Sequence, residues 1–463
     1  MKVQEIRKLS ASDLAAVTDS EIVLTGSVQC PKGISIDTRT LSRGDLFFAV
    51  KGSRFNGHDF IQDAFDKKAW GAVVSEEKAC RTDVEGFTLL RTDDTVEALG
   101  KCAQYVRRSR KEMIVAGITG SNGKTTTKEL LKRALSAKGS AAASPGNFNN
   151  FIGVPLSIFS APADTRFGII EMGTESPGEI EYLAGLTEPD AALVTNVGDT
   201  HLEHLGSREG VAREKGRLYA HLSEDGTGIV NADDGFAEFF MSLIPGKTVT
   251  FSMKKPADIY GTVIDSDREG FTLEINGKYH IRCGLPGIHN SMNLLAALGV
   301  CKALGFEPEE FSGSFIHDLD IPGMRMERST VQGITCYNDA YNANPQSVSA
   351  GIDFFRRCSA RNGTRKILVL GDMLDLGPDS DRLHSEIGSL ITAETADVLV
   401  TVGGKARLAA EAAGAGEEPP EEIISCSNAA EAGDAVFSLA HRGDMLFLKG
   451  SRGMALEQIL EGR

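Results

Sequence analysis

Lys124 and Thr125 carry the most legible chemistry in this chain because of where they stand, at the end of Thr119-Gly120-Ser121-Asn122-Gly123-Lys124-Thr125-Thr126. A run rich in β-branched residues (114–118) precedes this segment, and leucines at helical spacing follow it across residues 128–135. The pattern reads strand, loop, helix. Backbone N–H groups of such a loop, backed by the positive end of a helix, make an anion site before any side chain is counted. Lys124 adds an ammonium for the outer phosphates of a nucleotide, and Thr125 a hydroxyl for Mg²⁺. The spacing departs from the general phosphate loop: Ile118 stands where the first glycine is expected, and the nearest glycine is Gly120. A glycine-rich turn with a surface lysine is the bland alternative, and the conjunction of strand, loop, Gly-Lys-Thr-Thr and helix argues against it.

Other candidate groups follow apolar runs. Glu171 ends the run Phe167-Gly168-Ile169-Ile170, where its carboxylate could hold Mg²⁺, a hard cation that prefers oxygen. His201, in Gly198-Asp199-Thr200-His201, fits either a metal ligand or a hydrogen-bonded structural histidine. Lys215 reads locally as a solvated helix lysine. Asn290 and Asn293 share a helix face, and their amides suit an adenine edge, with helix capping by Asn290 as the alternative. Arg325 follows the break Ile321-Pro322-Gly323, where domain closure could carry a guanidinium to a phosphate. Asn338-Asp339-Ala340-Tyr341-Asn342-Ala343-Asn344-Pro345 is richer in amides and acids than a turn requires. Leu448-Lys449-Gly450-Ser451-Arg452-Gly453 offers either a cradle for a carboxylate or a basic turn.

The elements that must position these groups form a repeating rhythm. Residues 114–231 alternate buried-looking strands with helices, and each strand delivers polar residues at its carboxyl end: Glu171, Thr195-Asn196, then Asn231 with Asp233 and Asp234. In an open α/β sheet that edge is where ligands bind, although Asp233 and Asp234 also read as caps. A hairpin is predicted at Asn276-Gly277, and a helix begins near Asn290. The expected fold is α/β in three domains. Residues 1–92 form a small N-terminal substrate domain whose loops carry Arg39 and His58, and a helix is predicted over 61–69. Residues 93–321 form a central phosphate-loop mononucleotide-binding domain, and residues 322–463 a Rossmann-like domain.

Composition bounds the partners. The 463 residues suit about three domains, and 41% hydrophobic with 24% charged residues is ordinary for a water-soluble chain. A net charge of −15 leaves no basic stripe for nucleic acid. Eight cysteines lie scattered without Cys-x-x-Cys spacing, and no apolar run approaches the roughly 18 residues of a membrane span. A cytoplasmic protein with reduced thiols, no nucleic acid and no membrane insertion is expected.

Taken together, these residues resemble the Mur ligases of bacterial cell-wall synthesis over nearly the whole chain. The phosphate loop is similar to that family's own, and Glu171, His201, Asn231, His289-Asn290-x-x-Asn293 and Arg325 fall in its order. Several segments are similar to those of the member that adds a dipeptide: Asp37-Thr38-Arg39, Asn56-Gly57-His58, Asn147-Phe148-Asn149-Asn150, Tyr341-Asn342-Ala343-Asn344-Pro345, Gly371-Asp372-Met373 and Lys449-Gly450-Ser451-Arg452. The Asp-Asn-Pro-Arg run of the sibling that adds a diamino acid is not present. Asp375 and the Asp199-Thr200 pair depart from the family pattern.

The resemblance implies an ATP-dependent amide ligase, acting as a monomer, that joins D-alanyl-D-alanine to a UDP-muramoyl-tripeptide through an acyl phosphate. It implies that Thr38, Arg39, Asn56, Gly57 and His58 bind the UDP-muramoyl end, and that Asn147, Asn149 and Asn150 follow the sugar-peptide arm. It places Thr119 to Thr126, Asn290, Asn293, Arg325 and Asp339 at ATP, and Asn342, Asn344, Lys449, Ser451 and Arg452 at the dipeptide. Lys124, Glu171, His201 and Lys215 would be catalytic. Two Mg²⁺ ions are implied, held by Thr125, Glu171, His201 and a carbamate on Lys215. A folate polyglutamylating ligase would share the phosphate loop but not the first-domain segments. A nucleotide switch or kinase would share the loop but not the asparagine-rich segments.

Overall fold

The computed structural model describes residues 1–52, 55–76, 86–267, 269–313, 315–316, 319, 321–358 and 364–461. Its described strands form three sheets. The first has five strands in the order Glu21–Leu24, Thr88–Arg91, Gly71–Val74, Asp45–Phe48, Gly33–Ser35, antiparallel only at its first pair. The predicted 61–69 helix is a 3₁₀ turn, Gly57–Phe60, followed by a shorter helix, Ile61–Asp66. It stops where Lys68 takes φ 60°, a conformation that helices exclude.

The central sheet is organised around Ile114–Thr119, which lies between Phe167–Glu171 and Ala191–Val194, all three parallel. Ala141–Ala143 lies outside Phe167–Glu171, while Thr227–Asn231 and Lys247–Ser252 continue the sheet beyond Ala191–Val194. The chain therefore leaves Ile114–Thr119 toward one side and later returns to the other, which opens a crevice at that strand's carboxyl end. The three central strands are buried along almost their whole length because both faces are covered. Thr95–Ser109, Glu179–Thr187 and Arg208–Ala220 bury Leu99, Leu183 and Leu218 against one face; Lys124–Leu135 and Asn290–Ala303 bury Leu130, Leu131, Leu294 and Leu298 against the other. The helix Thr95–Ser109 also shares its core with Leu46, Phe48, Val73 and Leu90 of the first sheet, so it couples the two bodies. The predicted hairpin is present: Phe271–Ile275 pairs with Tyr279–Cys283 across Asn276 and Gly277, both at positive φ.

The third sheet runs Glu327–Val331, Ile334–Asp339, Met445–Lys449, Lys366–Gly371, Val398–Val402, Glu422–Cys426, with only its first pair antiparallel. The seven described cysteines are free, and burial pushes the Cys102, Cys283 and Cys301 thiols up to about 12. Cys80 lies outside the described residues. No helix among the described residues is long and apolar enough to cross a membrane.

Candidate active site

The off-pattern spacing of the phosphate loop has a structural cause. Ile118 is still in the strand and wholly buried, so the chain turns only from Gly120 to Gly123. Both glycines are required there. A Cβ on Gly120 (φ 149°) would lie 1.8 Å from Thr195 Oγ1, and one on Gly123 (φ 80°) 2.1 Å from Asn293 Oδ1. The neighbouring strand tip braces the loop: Ser121 N–H donates to Asn196 O (2.9 Å), Asn122 N–H to Asn196 Oδ1 (3.0 Å), and Thr195 Oγ1 to Asn122 O (2.6 Å). Thr200, one of the family departures, places its hydroxyl 3.0 Å from that of Ser121, and Asp199 pairs with Arg208. No side chain caps the helix Lys124–Leu135, which leaves its amino end to an anion.

Two buried oxygens above this loop, Thr125 Oγ1 and Glu171 Oε2, have no hydrogen-bond partner. Glu171 Oε1 accepts from Asn149 Nδ2 at 2.9 Å. A hydroxyl and a carboxylate oxygen left bare at the mouth of a phosphate loop suit Mg²⁺. Lys124 Nζ donates to Gly120 O (2.7 Å). Enclosure by protein lowers its proton affinity; Glu171 opposes this and Arg325 adds to it. His201 takes φ 55°, and burial, Lys215 and Lys124 push its protonation down to about 4. Its imidazole is therefore neutral near pH 7, the form that ligates metals. Lys215 is almost fully buried and forms no hydrogen bond or ion pair among the described residues. Burial, reinforced by Lys124, lowers its proton affinity far below the ordinary lysine value, against the pull of Glu214. The solvated-lysine reading of Lys215 is corrected: it is a buried amine biased toward neutrality.

A cleft of about 1420 Å³ opens from the phosphate loop to the third sheet, lined among others by Lys124, Asn149, Glu171, His201, Asn293 and Arg325. Asn147 Nδ2 donates to Tyr341 OH across the domains (2.8 Å). Asn150 instead accepts from Ile152 and Gly153 N–H at the start of helix Gly153–Ser160, a capping role. Asn290 does not cap its helix: its Nδ2 donates to Pro286 O (2.8 Å), and its Oδ1 accepts from Asn293 Nδ2 (2.8 Å). Arg325 stacks its guanidinium 3.9 Å from the Tyr341 ring centroid. Asp233 and Asp234 tie strand tips together by accepting from Met253 N–H (2.7 Å) and Val197 N–H (2.8 Å).

The asparagine-rich segment is partly local architecture. Asn344 caps helix Pro345–Arg357 through a reciprocal pair with Ser347, and Asn342 Oδ1 accepts from Ala343 N–H. Asn344 also exchanges amide bonds with Asn122 of the phosphate loop (2.7 and 3.3 Å). The cradle reading of residues 448–453 needs revision at Lys449. Its buried ammonium meets Asp339 Oδ2 (2.7 Å), Asn342 O (2.8 Å) and Asp339 O (3.2 Å), which commits all three N–H groups. Ser451 Oγ accepts from Leu374 N–H, Arg452 pairs with Glu457, and neither lines the cleft.

Thr38, Arg39, Asn56, Gly57 and His58 lie on the first sheet's loops, outside this cleft. Thr38 and His58 are buried, whereas the Arg39 side chain is exposed and paired with Asp37 (2.7 Å). His58 has a structural task that the sequence did not reveal: Asn56 Oδ1 lies 2.8 Å from its Nδ1, and Ser75 N–H donates to its Nε2 (2.9 Å). Two residues at the site escaped sequence reasoning. Gln346 meets Asn122 and Val197 from the third domain, and Lys128 lies fully buried beside Glu171. Neither was singled out by residue type or motif in the sequence.

Comparison with known proteins accords with this arrangement. Residues 118–301 match the Mur ligase middle domain, residues 324–452 the Mur ligase glutamate ligase domain, and residues 31–105 the Mur ligase family catalytic domain. The chain is 35% identical over 431 residues to a UDP-N-acetylmuramoyl-tripeptide–D-alanyl-D-alanine ligase of Bacillus subtilis, covering 93% of this chain and 92% of that one. It is 32% identical to the Escherichia coli protein of the same name, covering 96% and 97%. A crystal structure of MurF from Acinetobacter baumannii superposes with a TM-score of 0.86 at 28% identity, over 97% of each chain. MurF ligase from Thermotoga maritima in complex with ADP gives 0.78 at 26% identity, over 93% and 96%.

Proposed function

Because the chain belongs to the Mur ligase family, we infer that its activity is the ATP-dependent joining of D-alanyl-D-alanine to UDP-N-acetylmuramoyl-tripeptide in peptidoglycan precursor synthesis. The observation that carries this reading is the cleft. Phosphate loop, Asn147–Asn149 arm and the strand tips of the third sheet face one space, which suits three reactants better than nucleotide hydrolysis alone.

In this mechanism the tripeptide's terminal carboxylate attacks the γ-phosphorus of ATP, ADP departs, and an acyl phosphate forms. The dipeptide's amine then attacks the acyl carbon; the tetrahedral intermediate collapses to the amide, and phosphate and the amine proton leave. Lys124 and the loop's N–H groups neutralise charge on the phosphates. Mg²⁺ on Thr125 and Glu171 would supply further neutralisation of the β- and γ-phosphates, and His201 with a carbamate on Lys215 would hold a second ion. A neutral Lys215 amine is the form that captures CO₂, which supports that assignment. Arg325 and Asp339 approach ATP from the third domain, as Asn290 and Asn293 do from beneath the loop. Thr38, Arg39 and residues 56–58 serve the UDP end, outside the cleft. Asn342 and Asn344 serve the dipeptide, with Lys449 holding the Asn342 carbonyl (2.8 Å). Closure of the third domain shields the acyl phosphate from water.

The reading describes a cytoplasmic monomer working on small molecules. The central and third domains of a single chain line the cleft, and its described thiols are free. Phosphate release requiring ATP, the UDP-tripeptide and D-alanyl-D-alanine together is the expected result, with the pentapeptide product seen by mass spectrometry. ATP turnover indifferent to the dipeptide would overturn it.

A further inference from the structure

Lys128 has no task in the mechanism above, yet its environment is built. It lies one helical turn after Lys124 and is fully buried. Its Nζ donates to Ser144 O (2.7 Å) and Gly146 O (2.8 Å), and stands 3.1 Å from Glu129 Oε1 and 3.9 Å from Glu171 Oε2. An ammonium is taken out of water at high cost unless hydrogen bonds and counter-charge replace its hydration. Here they come from separate segments: the nucleotide helix itself, the Glu171 strand, and the stretch leaving Ala141–Ala143 toward Asn147 and Asn149. The same stretch is tied to Glu171 twice more, by Glu171 N–H to Ser144 Oγ (3.0 Å) and by Asn149 Nδ2 to Glu171 Oε1 (2.9 Å). An apolar side chain could fill this volume but could not hold two carbonyls and face two carboxylates at once.

We propose that Lys128 is a positioning residue that locks the 144–149 arm to the phosphate-loop helix, holding the acyl-donating substrate in register with the nucleotide. This rests on the assignment of Asn147 and Asn149 to the substrate's sugar-peptide arm. Ligation kinetics of the full-length enzyme test it with Lys128→Met and with Lys128→Met/Glu129→Gln, the second removing the counter-charge so that Glu129 is not stranded. The expected result is a rise of at least about tenfold in KM for the UDP-tripeptide, a smaller fall in kcat, and an ADP Kd, measured without substrate, within about threefold of wild type. Lys128→Met and Asn149→Ala should also be non-additive in that KM, since both release the same arm. Unchanged KM, proportional loss of ADP and UDP-tripeptide affinity, additivity with Asn149→Ala, or failure of both variants to fold would each overturn it, the last by making Lys128 a core prop. A wild-type enzyme without dipeptide-dependent phosphate release would overturn the assigned reaction, and this inference with it. Wild-type activity with an unchanged variant KM would overturn this inference alone.

Discussion

Gly123→Ala isolates the role of loop geometry, because the structure fixes what the added methyl would meet. At φ 80° an L-residue costs about 1–2 kcal/mol. The Cβ would also stand 2.1 Å from Asn293 Oδ1, a separation that real atoms do not tolerate. Asn293 must turn away, surrendering its 2.8 Å bond to Asn290 and its 3.4 Å contact with Thr127, of which the first is worth about 1 kcal/mol and the second less. The nucleotide-ready loop thus becomes about 2–4 kcal/mol less accessible, which at about 1.4 kcal/mol per decade weakens ADP binding by roughly 30- to 1000-fold. Calorimetric titration of ADP into the folded variant measures this directly. Gly305→Ala is the control: it follows the helix that carries Asn293 and has φ 88°, but its Cβ would meet nothing within 4 Å. It should lose about 1 kcal/mol of stability and leave ADP affinity unchanged. Relative to Asn293→Ala alone, which loses its own nucleotide contact, adding Gly123→Ala should cost only the backbone strain. An ADP Kd for Gly123→Ala within threefold of wild type would refute the reasoning, as would an equal loss in the control.

Asn122→Ala removes the side-chain bonds from the phosphate loop to Asn344 and Gln346, so third-domain docking should weaken by about 1–2 kcal/mol. X-ray scattering should show a larger radius of gyration, and the dipeptide KM should rise about tenfold; an unchanged scattering profile would contradict this. His384 is buried, accepts from Met373 N–H and contacts Ser380 O, and its proton affinity is held below the ordinary 6.5 mainly by burial. The unfolded chain therefore takes the proton first, so stability present above about pH 6.5 is lost as pH falls further. His384→Gln should flatten that loss in denaturant titrations, and a variant profile parallel to wild type would exclude His384 as its source. Incubation with ¹³C-bicarbonate should give a carbamate carbon resonance in the wild type that is missing from Lys215→Met, and the same spectrum from both would remove the carbamate.

How much was legible varied with how local the cause was. The strand Ile114–Thr119, the hairpin at Asn276-Gly277 and the parallel strands of the third sheet follow from periodicity and turn chemistry, which act over a few residues. The helix after His58 was read too long because its end depends on Lys68 reaching φ 60°. Lys215 reads as a solvated lysine in sequence, and nothing there marks Lys128 or Lys449 as buried, since burial depends on segments far away in the chain. Asn150 and Asn344 are caps as well as candidate contacts, a division of labour visible only once their neighbours are placed.

The sequence by itself determined that a phosphate loop follows a buried strand, that its glycines cannot sit on the general spacing, and that polar residues gather at strand ends. Short-range sterics and hydrophobic period suffice for each of these. Tertiary structure alone decided which of those residues meet. Thr195 and Asn293 forbid a Cβ on Gly120 and Gly123; burial and Lys124 bias Lys215 toward the free amine; and Thr125 Oγ1 and Glu171 Oε2 are left without hydrogen-bond partners among the described residues. Desolvation and close contact depend on what packs around an atom, and the chain supplies those neighbours from distant segments, as Asn293 does for Gly123 and Asn344 for Asn122.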